Sequence, residues 1–372
     1  MKLSPPILVL ILCASWTVAL AQVVPTETIR GQVIDDSTGA PLLLANVYVA
    51  NTALGCASDS VGRFVINNVP VGQHTLIASL VGYTTCLTEL RVNESGVPGM
   101  VVRLKPKQLQ AAAVEINARV PTRWKQDLEK FQHWFLGTTA NARLCKILNP
   151  EILDFTSGGD WIEFEAMPSD QPIQIENRAL GYKVYYILTR FRYVQGHLET
   201  GGVARFEPLA SKDSDEALLW RENRVRAYYG SMRHFLSSLV KRTYQKEGFE
   251  ISRTRDVSDK YHEDVSADEI LRATNSAFRK TLSFRDYLEV TYAKANADEG
   301  YQTYEWRVGT TLPSGRLPQT SWISLEAPDV DVDMDGNVDG PFVIQVVGYW
   351  TYLRIADLLP SDYKLDGDLR PK

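Results

Sequence analysis

The residues best placed to do chemistry are Asp331, Asp333, Asp335 and Asp339, with Gly336 and Asn337 among them. Carboxylates at the first, third, fifth and ninth places, and glycine at the sixth, match the opening of a calcium-binding EF-hand loop. The twelfth place, which should hold a bidentate glutamate, is Phe342. Both flanks, Ser321–Leu325 and Phe342–Val347, read as strands and not helices. Asp-Gly-Asn between strands is also hairpin chemistry. A turn is therefore the preferred reading, with calcium kept as the alternative.

Other chemistries lack their residues. The histidines are His74, His133, His197, His234 and His262. None begins a zinc-hydrolase helix motif, and no pair has metal-ligand spacing. The chain has no C-x-x-C, no G-x-S-x-G elbow and no Walker loop. No cofactor is expected. A hydrolase would need residues distant in sequence gathered in one pocket with perturbed ionisation.

The elements that must position these residues divide the chain. Its 372 residues exceed one ordinary core. Lys and Arg number 40 against 45 Asp and Glu, so no basic surface invites nucleic acid. Residues 1–21 read as a secretory signal: Lys2, the apolar run Ile7–Leu12, and Ala19-Leu20-Ala21 before a cut at Gln22. The apolar stretch falls short of the roughly 20 residues of a spanning helix, and no later segment reaches that length uncharged, so the mature chain is expected to carry no transmembrane segment. Three cysteines remain, Cys56, Cys86 and Cys145. They read mainly as small buried hydrophobes, and a Cys56–Cys86 bridge is left open.

Residues 22–105 alternate apolar and polar in short runs separated by turn residues. About seven strands at this spacing make a β-sandwich. The runs are Gly31 to Leu42 (G-x-V-x-D-x-x-T-G-x-P-L), Ala45 to Val49, Asp59 to Phe64, Val69 to Gly72 and Val81 to Tyr83. In order and spacing they resemble the carboxypeptidase-regulatory-like domain. That family often continues with a strand such as Val114–Ile116. The resemblance implies a transthyretin-like sandwich, a non-catalytic accessory role, and the envelope of Bacteroidetes-type bacteria. The marker residues read as structural: glycines making turns, Asp59 bonding local backbone, and Tyr83 tipping its hydroxyl to a partner.

Residues 106–119 read as a connector and 120–372 as an α+β region with a mostly antiparallel sheet. A first helix is expected from Thr122, its N-cap, to a stop at Gly137, with Trp124, Leu128, Phe131 and Phe135 on one face. Strands follow at Ile152–Phe155, Trp161–Ala166, Ile173–Ile175, Tyr182–Tyr193 and Val203–Phe206. A long helix from about Asp215 to Lys246, capped by Ser214, carries Arg221, Arg224, Arg226, Arg233, Lys241 and Arg242 on a face read as solvated, with anion binding kept as the alternative. Asp256–Asp268 reads as a loop, and Phe284–Tyr292 and Tyr304–Val308 as strands. The patterns N-P-E at Asn149, W-R-E-N-R at Trp220, Y-G-S at Tyr229 and G-Y-W at Gly348 resemble an uncharacterised region that follows this sandwich in Bacteroidetes envelope proteins. No activity comes with that resemblance.

The expectation is a non-enzymatic, exported protein, periplasmic or associated with the outer membrane. Its partners would be an envelope protein or a glycan or peptide ligand. Glycan binding in nutrient uptake would show as an exposed row of Trp or Tyr.

Overall fold

The computed structural model describes residues 24–107, 122–158, 163–169, 171–194, 197–303, 317–340 and 343–365. Residues 1–21, read as a secretory signal, the stretches Val114–Ile116 and Tyr304–Val308, expected as strands, and Phe342 lie outside them. No described helix is long and apolar enough to cross a membrane.

The first layer pair is the expected sandwich of seven strands. They are β1 (Thr26–Asp35), β2 (Asn46–Val49), β3 (Gly55–Ala57), β4 (Arg63–Pro70), β5 (Gly72–Ser79), β6 (Cys86–Val92) and β7 (Met100–Leu104). One sheet has the order β4-β1-β7 and the other β3-β2-β5-β6. Alternating burial aims Ile29, Val33, Phe64, Ile66, Val47, Leu76 and Val102 into one core. Asp59 accepts from the amides of Val61 and Arg63 (3.0 and 2.8 Å), and Tyr83 donates to Asp35 (2.8 Å), as their residue types suggested. Cys56 and Cys86 stand on β3 and β6, the two edges of the four-stranded sheet, three strand spacings or about 14 Å apart. Among the described residues Cys56, Cys86 and Cys145 are free thiols, packed half-buried against the cores where full burial was expected.

The middle of the chain adds α1 (Thr122–Leu136), then β8 (Cys145–Ile147), β9 (Asp154–Ser157), β10 (Glu163–Met167), β11 (Ile173–Asn177), β12 (Tyr182–Val194) and β13 (His197–Pro208). Gly137, at φ +93°, ends α1 as expected. Pro150–Ile152 is a 3-10 turn, so the strand expected from Ile152 begins at Asp154. The long β12–β13 hairpin is the spine of a six-stranded sheet, and β11 and β10 share the other edge of β12. Phe131 and Phe135 of α1 pack with Phe164, Tyr186 and Phe191 of this sheet.

The long helix of the sequence reading is three pieces. They are α2 (Ser214–Tyr228), α3 (Met232–Val240) and α4 (Tyr244–Glu247). Gly230 and Arg242, at φ +78° and +57°, break it. Asp213, not Ser214, caps α2, and Ser231 caps α3 through the His234 amide. The rest is β14 (Phe249–Thr254), β15 (Glu263–Asp264), α5 (Ala267–Ile270), β16 (Leu271–Ala273), β17 (Arg279–Leu282), β18 (Tyr287–Asn296), α6 (Glu299–Thr303), β19 (Pro318–Leu325), β20 (Val330–Asp333), β21 (Ile344–Gly348) and α7 (Tyr349–Tyr352). The expected 256–268 loop thus carries a short strand and a helix start. Two antiparallel sheets, β15-β14-β18-β19-β21 and β16-β17-β20, pack with α3 around Phe235, Leu239, Leu282, Leu288 and Ile323. The protein is mostly β.

Of the cations expected on a solvated face, Arg221, Arg226, Lys241 and Arg242 are exposed as expected, whereas Arg224 and Arg233 turn inward. Trp220, Asn223 and Arg224 donate to the carbonyls of Arg178, Ala179 and Leu180 (2.7, 2.7 and 2.6 Å). Arg233 donates to the carbonyls of Pro360 and Tyr363 (2.7 and 3.0 Å). The recurring short patterns are therefore staples. W-R-E-N-R grips the β11–β12 turn. Trp350 of G-Y-W donates to Gly230 of Y-G-S (2.6 Å), and Asn149 of N-P-E accepts from Gln174 (2.7 Å).

Candidate functional site

The acidic segment is a hairpin turn closed on itself. Val332 bridges Val338, and Asp333 donates its amide to Asn337 (3.0 Å). The Asp333 carboxylate accepts from the amides of Asp335 and Asn337 (2.8 and 2.9 Å), and burial pushes its pKa up. The other carboxylates face separate partners. Asp331 accepts from Thr281 (2.7 Å), Asp335 pairs with Lys364, and Asp339 pairs with Arg279 (2.5 Å). Among the described residues no group of three His, Cys, Asp or Glu could hold a metal ion.

The glycine that completes the acidic pattern serves packing. Gly336 sits at φ +82°, and a Cβ there would lie 2.1 Å from the Arg233 carbonyl of α3. Ser237 of α3 donates to the Met334 carbonyl (2.7 Å), so the turn lies against the helix backbone. Gly336→Ala is expected to lower stability by about 1–3 kcal/mol, from overpacking and left-handed strain together. Urea unfolding measures it, and an unchanged midpoint would show that the turn is not pressed on α3.

Asp339 and Arg279 extend this turn to the sandwich. Arg279 is buried and Asp339 part-buried, with side chains 8% and 17% exposed, and Arg91 lies 4.0 Å from the same carboxylate. Arg279 also donates to the Val71 carbonyl (2.9 Å), and the Gln73 amide donates to Asp339 (3.3 Å). Gly72 lies beneath the guanidinium, where a Cβ would come within 2.1 Å of Arg279 Nη2. A second contact joins the sandwich to the middle sheet. Asn51 donates its amide to the Ala204 carbonyl (2.6 Å), its side chain accepts from the Ala204 amide (3.0 Å), and Thr52 accepts from Phe206 (3.0 Å). Ser361 closes over the same turn with a bond to the Asn51 carbonyl (2.8 Å).

Between these contacts lies a cleft of about 600 Å³, walled by the sandwich turns, β13, the α2–α3 break and residues 353–362. Among the groups of shifted ionisation in its wall are His74, Asp333 and Asp357. Burial pushes the His74 imidazole down, and that ring lies 2.6 Å from the Pro70 carbonyl. Asp333 is held by its own turn. Asp357 accepts from Thr139 and Asn141 (2.9 and 2.8 Å), and burial pushes its carboxyl up to about 6. Each group is committed to protein partners, so the cleft gathers charge without a nucleophile–base pair among these three. His234, pushed down to about 4 by burial, accepts from the Gly230 amide (3.1 Å) and is a neutral core residue.

The raised pKa of Asp357 fixes the sign of a pH effect. The fold favours its protonated form, so this stabilisation is complete below the unfolded-state pKa and is lost as pH rises through about 6. Asp357→Asn keeps an acceptor for Asn141 and gains a donor for Thr139. At neutral pH it is expected to exceed wild type in stability by about 1–3 kcal/mol, with the gap closing toward about pH 4. Chemical unfolding at several pH values checks this, and a pH-independent gap would contradict it.

The acidic turn and the sandwich turns were visible in sequence. Arg279, Asn51 and Asp357 were not, since each meets partners far away in the chain. The aromatic row that glycan binding would use is not present among the described residues, where Tyr261, at 67%, is the exposed aromatic.

Solved structures match this chain at low identity and low TM-score. A DUF3823 family protein from Bacteroides ovatus matches at 9% identity and TM-score 0.19, over 50% of this chain and 83% of that one. The group B streptococcus pilus 2b backbone protein matches at 15% identity and TM-score 0.19, over 22% of this chain and 42% of that one. A type II Cohesin-X-Dockerin complex from Acetivibrio cellulolyticus matches at 27% identity and TM-score 0.16, over 21% of this chain and 51% of that one. This chain thus spans about half or less of the last two, and likeness at these TM-scores has no bearing on its function. No curated protein matches it. Residues 29–116 match the model of the CarboxypepD_reg-like domain, the family that the motifs from Gly31 to Tyr83 resemble.

Proposed function

We propose that this is an exported, non-enzymatic interaction protein of the bacterial envelope, with residues 120–372 as a body that holds the sandwich for a partner protein. The observation that carries this reading is an aliphatic cluster at the end of the sandwich away from the body. Leu43, Leu44, Val61 and Val81 are 52%, 62%, 46% and 97% exposed. They stand on neighbouring loops. Leu44 donates its amide to Ser58, Asn46 pairs with Ser79 two residues before Val81, and Gly62 abuts Pro41 and Leu42. The opposite end carries Asn51, Val71 and Gln73, which hold the body. Contiguous exposed aliphatics mark protein contacts, whereas sugar platforms use aromatic faces.

A Leu44→Glu/Val81→Glu variant tests this. It is expected to fold as wild type and to lose capture of the partner that the wild-type chain retains from envelope extract, by about tenfold or more. Equal capture by both proteins would refute the reading.

A further inference from the structure

The β12–β13 hairpin leaves one edge of β13 without a strand neighbour along much of its length. Among the described residues β13 pairs with β12 alone. Part of its outer edge is nevertheless in use. The sandwich turn Asn51-Thr52 runs parallel to it, with Thr52 bridged to Arg205. The backbone of Ala204 bonds Asn51 through both its N–H and its C=O, and the Phe206 amide donates to Thr52. Backbone groups alternate along a strand with a period of two residues. Since Ala204 and Phe206 present theirs away from β12, so do Gly202 and Thr200, the next two in line.

That continuation opens into the cleft. Gly202 and Val203 line it, next to Asn51. Gly202 is at φ +159°, and a Cβ there would lie 2.4 Å from the Tyr186 ring, so the position admits only glycine. The facing wall is apolar at Ala227, Ile355 and Leu359.

We propose that the β13 edge at Thr200 and Gly202 docks an extended polypeptide, which lengthens the sheet in line with Asn51-Thr52. The occupant is a peptide strand with apolar side chains at alternate positions. Main-chain amides match the edge, and the apolar wall takes every second side chain. The site rests on reading the protein as an interaction protein and adds a second surface, remote from the aliphatic loops.

The test pans a phage-displayed random dodecapeptide library on the full chain and synthesises the enriched sequence. Binding is expected to slow amide exchange at Thr200 and Gly202 by about tenfold or more. N-methylation of alternate peptide residues is expected to weaken binding by about tenfold in one frame and leave it unchanged in the other, because a docked strand uses one edge. Absence of enrichment, protection elsewhere with none at Thr200 and Gly202, or equal tolerance of both N-methyl frames would overturn the proposal. Any of these, with envelope capture still lost in the Leu44→Glu/Val81→Glu variant, would overturn the docking edge and leave the interaction reading standing.

Discussion

Arg279→Ala is expected to lower stability by about 2–4 kcal/mol, because it leaves the part-buried Asp339 carboxylate with only the Arg91 guanidinium, at 4.0 Å, as a cationic partner among the described residues and removes the donor to Val71. A buried pair is a modest net stabiliser when whole, since desolvation offsets most of its attraction. Its loss is costly because one charge stays behind. The Arg279→Ala/Asp339→Ala double variant should therefore recover part of the stability lost by the single one. That recovery separates the electrostatic account from simple loss of packing, which would make the double variant worse. Arg279→Lys should fall between, since an ammonium keeps the charge but cannot fork between Asp339 and Val71. Urea unfolding of the four proteins gives the cycle. A single-variant loss below about 1 kcal/mol, as for a surface pair, would show that this contact does not hold the sandwich.

Trp220→Ala is expected to cost about 3–5 kcal/mol. The indole is 3% exposed and packs on Gly181, whose φ of +68° and absent Cβ make room for it. Its N–H holds the Arg178 carbonyl. The variant leaves a cavity under the β11–β12 turn and frees one of the carbonyls that α2 grips. Asn223 and Arg224 still hold Ala179 and Leu180, so the fold is expected to persist at lower stability. Trp220→Phe keeps most of the packing but not the donor, and should lose about 1–2 kcal/mol. Identical losses in the two variants would assign the whole effect to the hydrogen bond.

The sandwich was legible because its information is local. Strands buried on one face alternate with a period of two, and Gly39, Gly62 and Gly72 sit where the chain must turn with positive φ. Asp59 and Tyr83 bond within the same domain. The helix between Ser214 and Val240 was misread because apolar residues keep helical spacing straight through its break. Gly230 followed by Ser231 was the available signal, a stop residue and then an N-cap. Arg224 and Arg233 were misread for a different reason: helical spacing shows which residues share a face, not which carbonyls lie opposite. The acidic turn shows the same limit. Its hairpin was readable from Asp-Gly-Asn, but the contact of Gly336 with α3 and of Asp339 with Arg279 depends on segments brought together only by folding. The two contacts that fix the sandwich on the body, Arg279 to Val71 and Asn51 to Ala204, join residues far apart in sequence with no local pattern to announce them.

The central claim is that the sandwich is held on the body through one end, which leaves the Leu43, Leu44, Val61 and Val81 loops presented in a fixed direction. Residual dipolar couplings from amides of both parts, recorded on one aligned sample of the wild-type chain, test it most directly. A single alignment tensor fitting sandwich and body together is the predicted result. Two unlike tensors, as for domains that reorient independently, would contradict it.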